Sequence, residues 1–184
     1  MSNDKKKTDN SKYSMETHLI YGKNISDKWD YSHHVTAPVS SSTTFRLDSV
    51  ERGAQGFMQF ANTDQFGDKA PIFIYDRLGE PNKDMLEENL AHVEKGEMSV
   101  TFASGMSAIS AALGVLMTSG DEVISHNTLY GCTLSLLTNW YPRMNYKWIP
   151  IDLTEPKNIL NKVTDKSRIV YFETPANPNL QIID

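Results

Sequence analysis

The sequence is poor in the features that would assign it at a glance. One cysteine, Cys132, occurs among 184 residues. A lone thiol excludes a disulfide framework and a cysteine-based zinc site. No apolar run approaches the roughly 20 residues needed to cross a bilayer. The opening stretch MSNDKKKTDNSK has no apolar core, so a secretory signal is not expected, and Lys5–Lys7 reads as part of a solvated tail. Excess positive charge is also missing: the formal net charge is −5. A general nucleic-acid binder needs a basic face to neutralise phosphates. His18, His33, His34, His92 and His126 show no metal-ligand spacing, and His33-His34 is expected to be exposed. Neither GxGxxG nor a Walker loop occurs, which removes the common nucleotide fingerprints. What remains is an ordinary globular balance, 39% hydrophobic and 22% charged, in a chain long enough to bury a real core. A cytoplasmic location, with no membrane or nucleic-acid partner, is the expectation.

The chain divides into an irregular first part and a regular remainder. Residues 1–15 read as a disordered polar tail. Residues 16–74 lack sustained periodicity and read as an irregular N-terminal arm used in oligomer contacts, with a short extended candidate at 41–45. From Pro81 the pattern changes. Proline suits a first helical turn, and Met85, Leu86, Leu90 and Val93 fall at helical spacing. That helix should end near Lys95-Gly96, with the glycine taking the left-handed position just past the end.

Short apolar runs at 98–102, 122–125, 147–151 and 168–172 read as buried strands. Residues 107–117 and 130–140 read as helices, and Thr154 is expected to cap another helix running to Val163. The last residues, 180–184, look like a further strand. Strands alternating with helices imply an α/β fold with a mostly parallel sheet and flanking helices. Residues 75–184 would form the first part of that domain.

One turn invites chemistry. Thr101–Ile109 reads as strand, glycine turn, helix, a geometry that points unpaired N–H groups at an anion. Gly105 would let the backbone approach that anion closely. Read alone, it is better taken as a plain turn with a packing glycine, with the site of a non-catalytic anion- or nucleotide-binding module as the rival reading.

Other segments give the turn a context. The stretch LEENLAHVEKGEMSVTFASGMSAISAALGVLMTSGDEVISHNTLYGCT is similar to one in the Cys/Met-metabolism (trans-sulfuration) enzymes that depend on pyridoxal 5'-phosphate (PLP). Upstream, APVSSSTTFRLDS resembles that family's P-I-x-x-S-T-T-F opening, and YDRLGEPN its Tyr-x-Arg-x-Gly-Asn-Pro-Thr box. Downstream, YFETPANPNLQIID is similar to its Glu-Ser/Thr-Pro-x-Asn-Pro strand. The resemblance runs from about Thr36 to Asp184, with four boxes in the right order.

The resemblance implies the aspartate-aminotransferase type of fold (PLP fold type I), here incomplete at its C-terminal side. It implies a sulfur amino acid substrate and a homotetramer built as a dimer of dimers, with active sites shared between subunits. PLP chemistry needs a phosphate cradle, a ring clamp, an acid at the pyridine nitrogen and a lysine. By resemblance, Ser104, Gly105 and Met106 supply the cradle. Tyr75 and Arg77 reach the phosphate of a neighbouring subunit, and an arginine fork suits phosphate oxygens. Tyr130 stacks on the ring, and its hydroxyl is placed to move protons. Asn177 lies near the ring hydroxyl, and Asp184 faces the ring nitrogen. Glu173 reads equally as a site residue or a structural acid. Glu80 departs from the family pattern at a place where an acid would stand near a phosphate.

The family lysine and the residues for the substrate carboxylate come after Asp184, so the 184-residue chain by itself is expected to be inactive. The family's reactions share their first steps and separate late. Tyr130-Gly131-Cys132-Thr133 and ETPANPN resemble methionine γ-lyases, which makes Cys132 a candidate beside the substrate. Cystathionine γ-synthase or lyase and O-acetylhomoserine sulfhydrylase are the alternatives.

Overall fold

The computed structural model describes residues 14–21, 34–47, 49–60 and 73–184. The expectations for residues 1–13, including Lys5–Lys7, and for His33 lie outside the described residues. The chain divides into two compact units, Met1–Thr101 and Phe102–Asp184.

The first unit contains α1 (Met15–Tyr21), α2 (Val50–Phe60) and α3 (Pro81–Val93). Pro81 stands in the first turn of α3 as expected, but the cap before it is Glu80. Its carboxylate accepts from the backbone N–H groups of Asn82 and Lys83. This is capping by a longer side chain than the usual Ser, Thr, Asp or Asn. The end of α3 corrects the sequence reading. Lys95, not Gly96, takes the left-handed conformation, with φ 56°. The N–H of Lys95 bonds the carbonyl of His92 and that of Gly96 bonds Ala91. That pair of bonds is a Schellman closure with lysine where glycine is preferred.

The expected strand at 98–102 does not form. The N–H of Thr101 is taken by the Glu87 carboxylate at 2.7 Å, and the Ser99 hydroxyl donates to the Glu87 carbonyl. Met98, Val100 and Phe102 are exposed. An apolar run predicts a strand only if a neighbour offers its edge, and no described strand runs beside this one.

The second unit is built on three parallel strands, β1 (Glu122–His126), β2 (Lys147–Ile151) and β3 (Ser167–Tyr171), in the order β2-β1-β3. Ile124 lies opposite Ile149 on one side and Val170 on the other. All five residues of β1 are buried, as a central parallel strand covered on both faces should be. Val123 packs with Leu113, Met117, Leu129, Leu137 and Tyr141 on one face. Ile124 packs with Ile151, Leu153 and Ile183 on the other. Each such apolar side chain contributes about 1.5–3 kcal/mol when buried.

Preceding the sheet is α4 (Gly105–Gly114), and following β1 is α5 (Gly131–Ser135). The helix expected over 130–140 is one continuous coil that changes pitch. It widens from α into a π turn at Leu136–Trp140 and then tightens into a 3₁₀ turn at Tyr141–Met144.

Two further expectations fail in this unit. The helix from Thr154 is only a 3₁₀ turn at Pro156–Ile159. Asp152 accepts from both the N–H and the hydroxyl of Thr154, a local turn that competes with capping. Residues 180–184 form no strand. Leu180 and Gln181 instead bond back to Ala176, which makes a turn, and Ile183 enters the core as an isolated anchor.

Candidate functional site

Ser104 caps α4: its hydroxyl accepts from the N–H of Ser107 at 3.1 Å and meets the Ser107 hydroxyl at 2.8 Å. The next free donors on that helix end belong to Gly105 and Met106, whose N–H groups have no partner among the described residues. A Cβ added at Gly105 would meet nothing within 4 Å. The start of α4 therefore presents two open amides, a positive dipole end and free space for an anion.

The Met106 side chain turns away from that face. Its sulfur lies 3.8 Å from the fully buried hydroxyl of Thr133 in α5. This contact ties the beginning of α4 to the beginning of α5.

Tyr130 stands at the N-cap of α5 with its ring part exposed. Its own N–H donates to both oxygens of Glu173, at 2.9 and 3.1 Å. The Tyr171 hydroxyl donates to the same carboxylate at 3.3 Å. Burial, with the Glu173 charge beside it, pushes the Tyr171 hydroxyl above its ordinary pKa. The Tyr130 hydroxyl is raised as well. The first cause is the neighbouring Cys132 side chain, followed by burial. Cys132 is exposed.

Sequence reasoning left Glu173 undecided and gave His126 no role. His126 is buried at the end of β1. Its Nδ1 accepts from the N–H of Leu153 at 3.1 Å, so Nε2 carries the proton and donates to Gln181 Oε1 at 3.1 Å. The imidazole thereby pins the loop after β2 and the segment after β3 to the central strand. Only its place at the end of an apolar run signalled this.

Asn177 and Asp184 lie on that last segment, and both are exposed. The N–H of Ile183 bonds Thr174 Oγ1 at 3.2 Å. No hydrogen bond joins Asp184 to α4 or α5 among the described residues.

Tyr75 and Arg77 belong to the first unit. Tyr75 pairs with Thr44 in an antiparallel bridge flanked by two backbone bonds, Phe45 to Ile74 and Asp76 to Thr43. Asn82 adds two more bonds to the backbone of Ser40. Two of the sequence boxes, 35 or so residues apart, are thus hydrogen-bonded neighbours. Arg77 is exposed, with its guanidinium 5.4 Å from the centre of its own Tyr75 ring. The structure gathers Ser104, Gly105, Met106, Tyr130, Cys132 and Glu173 around the starts of α4 and α5.

Comparison with known proteins follows the same outline. The family model described as "Cys/Met metabolism PLP-dependent enzyme" matches residues 16–184. An L-methionine gamma-lyase of Fusobacterium nucleatum is 37% identical over 147 residues, covering 80% of this chain and 35% of the relative. A cystathionine gamma-synthase of Mycobacterium leprae is 33% identical over 150 residues, covering 82% of this chain and 34% of the relative. A solved structure of a putative O-acetylhomoserine (thiol)-lyase from Campylobacter jejuni, with an N'-pyridoxyl-lysine-5'-monophosphate, has a TM-score of 0.77 at 26% identity. It covers 94% of this chain and 40% of that one. The chain spans little more than a third of the length of the curated relatives named here.

Proposed function

Because the chain belongs to the Cys/Met-metabolism family of PLP-dependent enzymes, we propose that the whole protein carries out PLP-dependent γ-elimination on methionine or a close relative. The products would be 2-oxobutanoate, ammonia and a thiol. The observation that carries the choice within the family is the run Tyr130-Gly131-Cys132-Thr133 at the start of α5, with Cys132 exposed two residues after Tyr130. The methionine gamma-lyase relatives support it.

The residues present fit the cofactor. Two open amides on a capped helix, beside free space over Gly105, suit a dianionic phosphate. When bound, PLP supplies a ring that accepts electrons from the substrate's α-carbon. Ser104, Gly105 and Met106 would hold the phosphate through the backbone of α4. Tyr130 would cover one face of the ring, leaving its hydroxyl beside the substrate's side chain. Asn177 is the candidate for the ring hydroxyl. The Tyr130 hydroxyl carries its proton at neutral pH, as an ordinary phenol does, and would hand it to the departing sulfur. Cys132 would orient that hydroxyl and line the slot for the thioether. Tyr75 and Arg77 would complete the phosphate contacts of a neighbouring subunit in a tetramer. Asp184, on the same segment as Asn177, is the candidate for the pyridine nitrogen, where a carboxylate would keep the ring protonated.

A second reading is γ-replacement on a homoserine ester, favoured by the likeness to the Campylobacter jejuni structure and the Mycobacterium leprae enzyme. Cys132→Gly in the full-length protein separates the two. The substitution should leave PLP affinity unchanged and lower kcat/KM on methionine by about 1–3 kcal/mol more than on O-acetylhomoserine. Equal losses on both substrates would remove Cys132 from the specificity argument.

A further inference from the structure

We propose that Glu173 is a positioning residue that sets the Tyr130 ring over the cofactor. The inference rests on the stacking role proposed for Tyr130 and extends it to the group that fixes the ring's place. Tyr130 has no side-chain cap on α5, and its backbone φ and ψ of −52° and 134° lie outside the helical region. Its ring is part exposed, so packing alone holds it loosely. Its backbone is held by an acceptor 43 residues away. Both Glu173 oxygens take the Tyr130 N–H, a charge-assisted contact at 2.9 and 3.1 Å.

Glu173 is itself fixed. The Tyr171 hydroxyl donates to Oε1 from the end of β3, so the sheet locates the carboxylate. Contacts thus run from β3 through Glu173 to the ring residue, and Thr133, three residues further along α5, touches the Met106 sulfur at the start of α4. Glu173 would act through the backbone of Tyr130 rather than on the reacting atoms. It sets the distance between the two elements that grip the cofactor at its ring and at its phosphate.

A double-mutant cycle on the full-length protein, stripped of cofactor and titrated with PLP, tests this. Tyr130→Ala should raise the Kd for PLP by about 3–10-fold, the worth of one aromatic contact. Glu173→Ala should raise it by a similar factor, and Glu173→Gln, which keeps an acceptor oxygen, should restore it to within about twofold. In the Tyr130→Ala background, Glu173→Ala should add less than about twofold, because its effect passes through the ring. Visible circular dichroism of the bound cofactor should weaken in Glu173→Ala. If that variant fails to fold, Glu173→Met keeps the volume without the acceptors and should show the same loss. Equal factors in both backgrounds, or no loss from removing the carboxylate while Tyr130→Ala weakens binding, would overturn the positioning role alone. If Tyr130→Ala leaves the Kd unchanged, the stacking reading fails first and the positioning role falls with it.

Discussion

Lys95 ends α3 in a left-handed conformation, φ 56°, that costs an L-residue about 1–2 kcal/mol relative to glycine. A Cβ is the source of that cost, and glycine would relieve it while keeping both closing hydrogen bonds. Lys95→Gly should therefore stabilise the protein by about 0.5–1 kcal/mol after glycine's extra backbone entropy is deducted. A higher urea midpoint at unchanged slope would show it, and a lower one would mean that the lysine side chain has a packing role. The sequence pointed to the neighbouring glycine because Gly is the usual residue for this position. Which of two adjacent residues turns left is decided by the hydrogen bonds of the last turn, and composition does not reveal them. Glu80 shows the same limit. It looked like an acid intruding near a phosphate, and it is the N-cap of α3. By contrast, Ser104 and Gly105 were legible, since a short polar residue and a glycine before an apolar helix is a local pattern that needs no distant partner.

At the scale of elements, the three strands and α4 were readable because each is a short apolar run or apolar helix bounded by turn residues. The strand ends moved by a residue at most, and the ends of α4 by two and three. The failures at 98–102, 154–163 and 180–184 share a cause: each depends on what lies beside the segment. Glu87 captures the first, Asp152 turns the second, and the bonds back to Ala176 fold the third. The strand bases carry a testable charge network. Glu122, buried at the start of β1, accepts from Lys147 Nζ at 2.9 Å and from the Thr164 hydroxyl at 2.7 Å. These bonds, Lys147 first, hold its carboxyl below the usual glutamate range despite burial. A depressed folded pKa means that the stabilisation is complete above the unfolded glutamate value and fades as pH falls below it. Urea midpoints measured from pH 7 down to pH 3 should therefore drop in the wild type. Glu122→Gln should start lower at pH 7 and lose less on acidification. Parallel pH profiles for the two proteins would mean that Glu122 contributes nothing to acid sensitivity.

For the molecule as a whole, the family and the fold type were legible in four boxes of sequence, and residues 16–184 match the family throughout. The boxes are spread along the chain because each serves one contact, and folding brings them together in pairs: Thr44 with Tyr75, and Tyr130 with Glu173. The substrate was not legible to the same degree, since the shared residues serve every reaction of the family and only Cys132 leans toward one. The most direct test is to give the full-length, PLP-loaded protein L-methionine alone and follow methanethiol, ammonia and 2-oxobutanoate. The account predicts all three in equal amounts, with no requirement for an added thiol. Methionine left intact, while O-acetylhomoserine and a thiol are joined at a rapid rate, would contradict it.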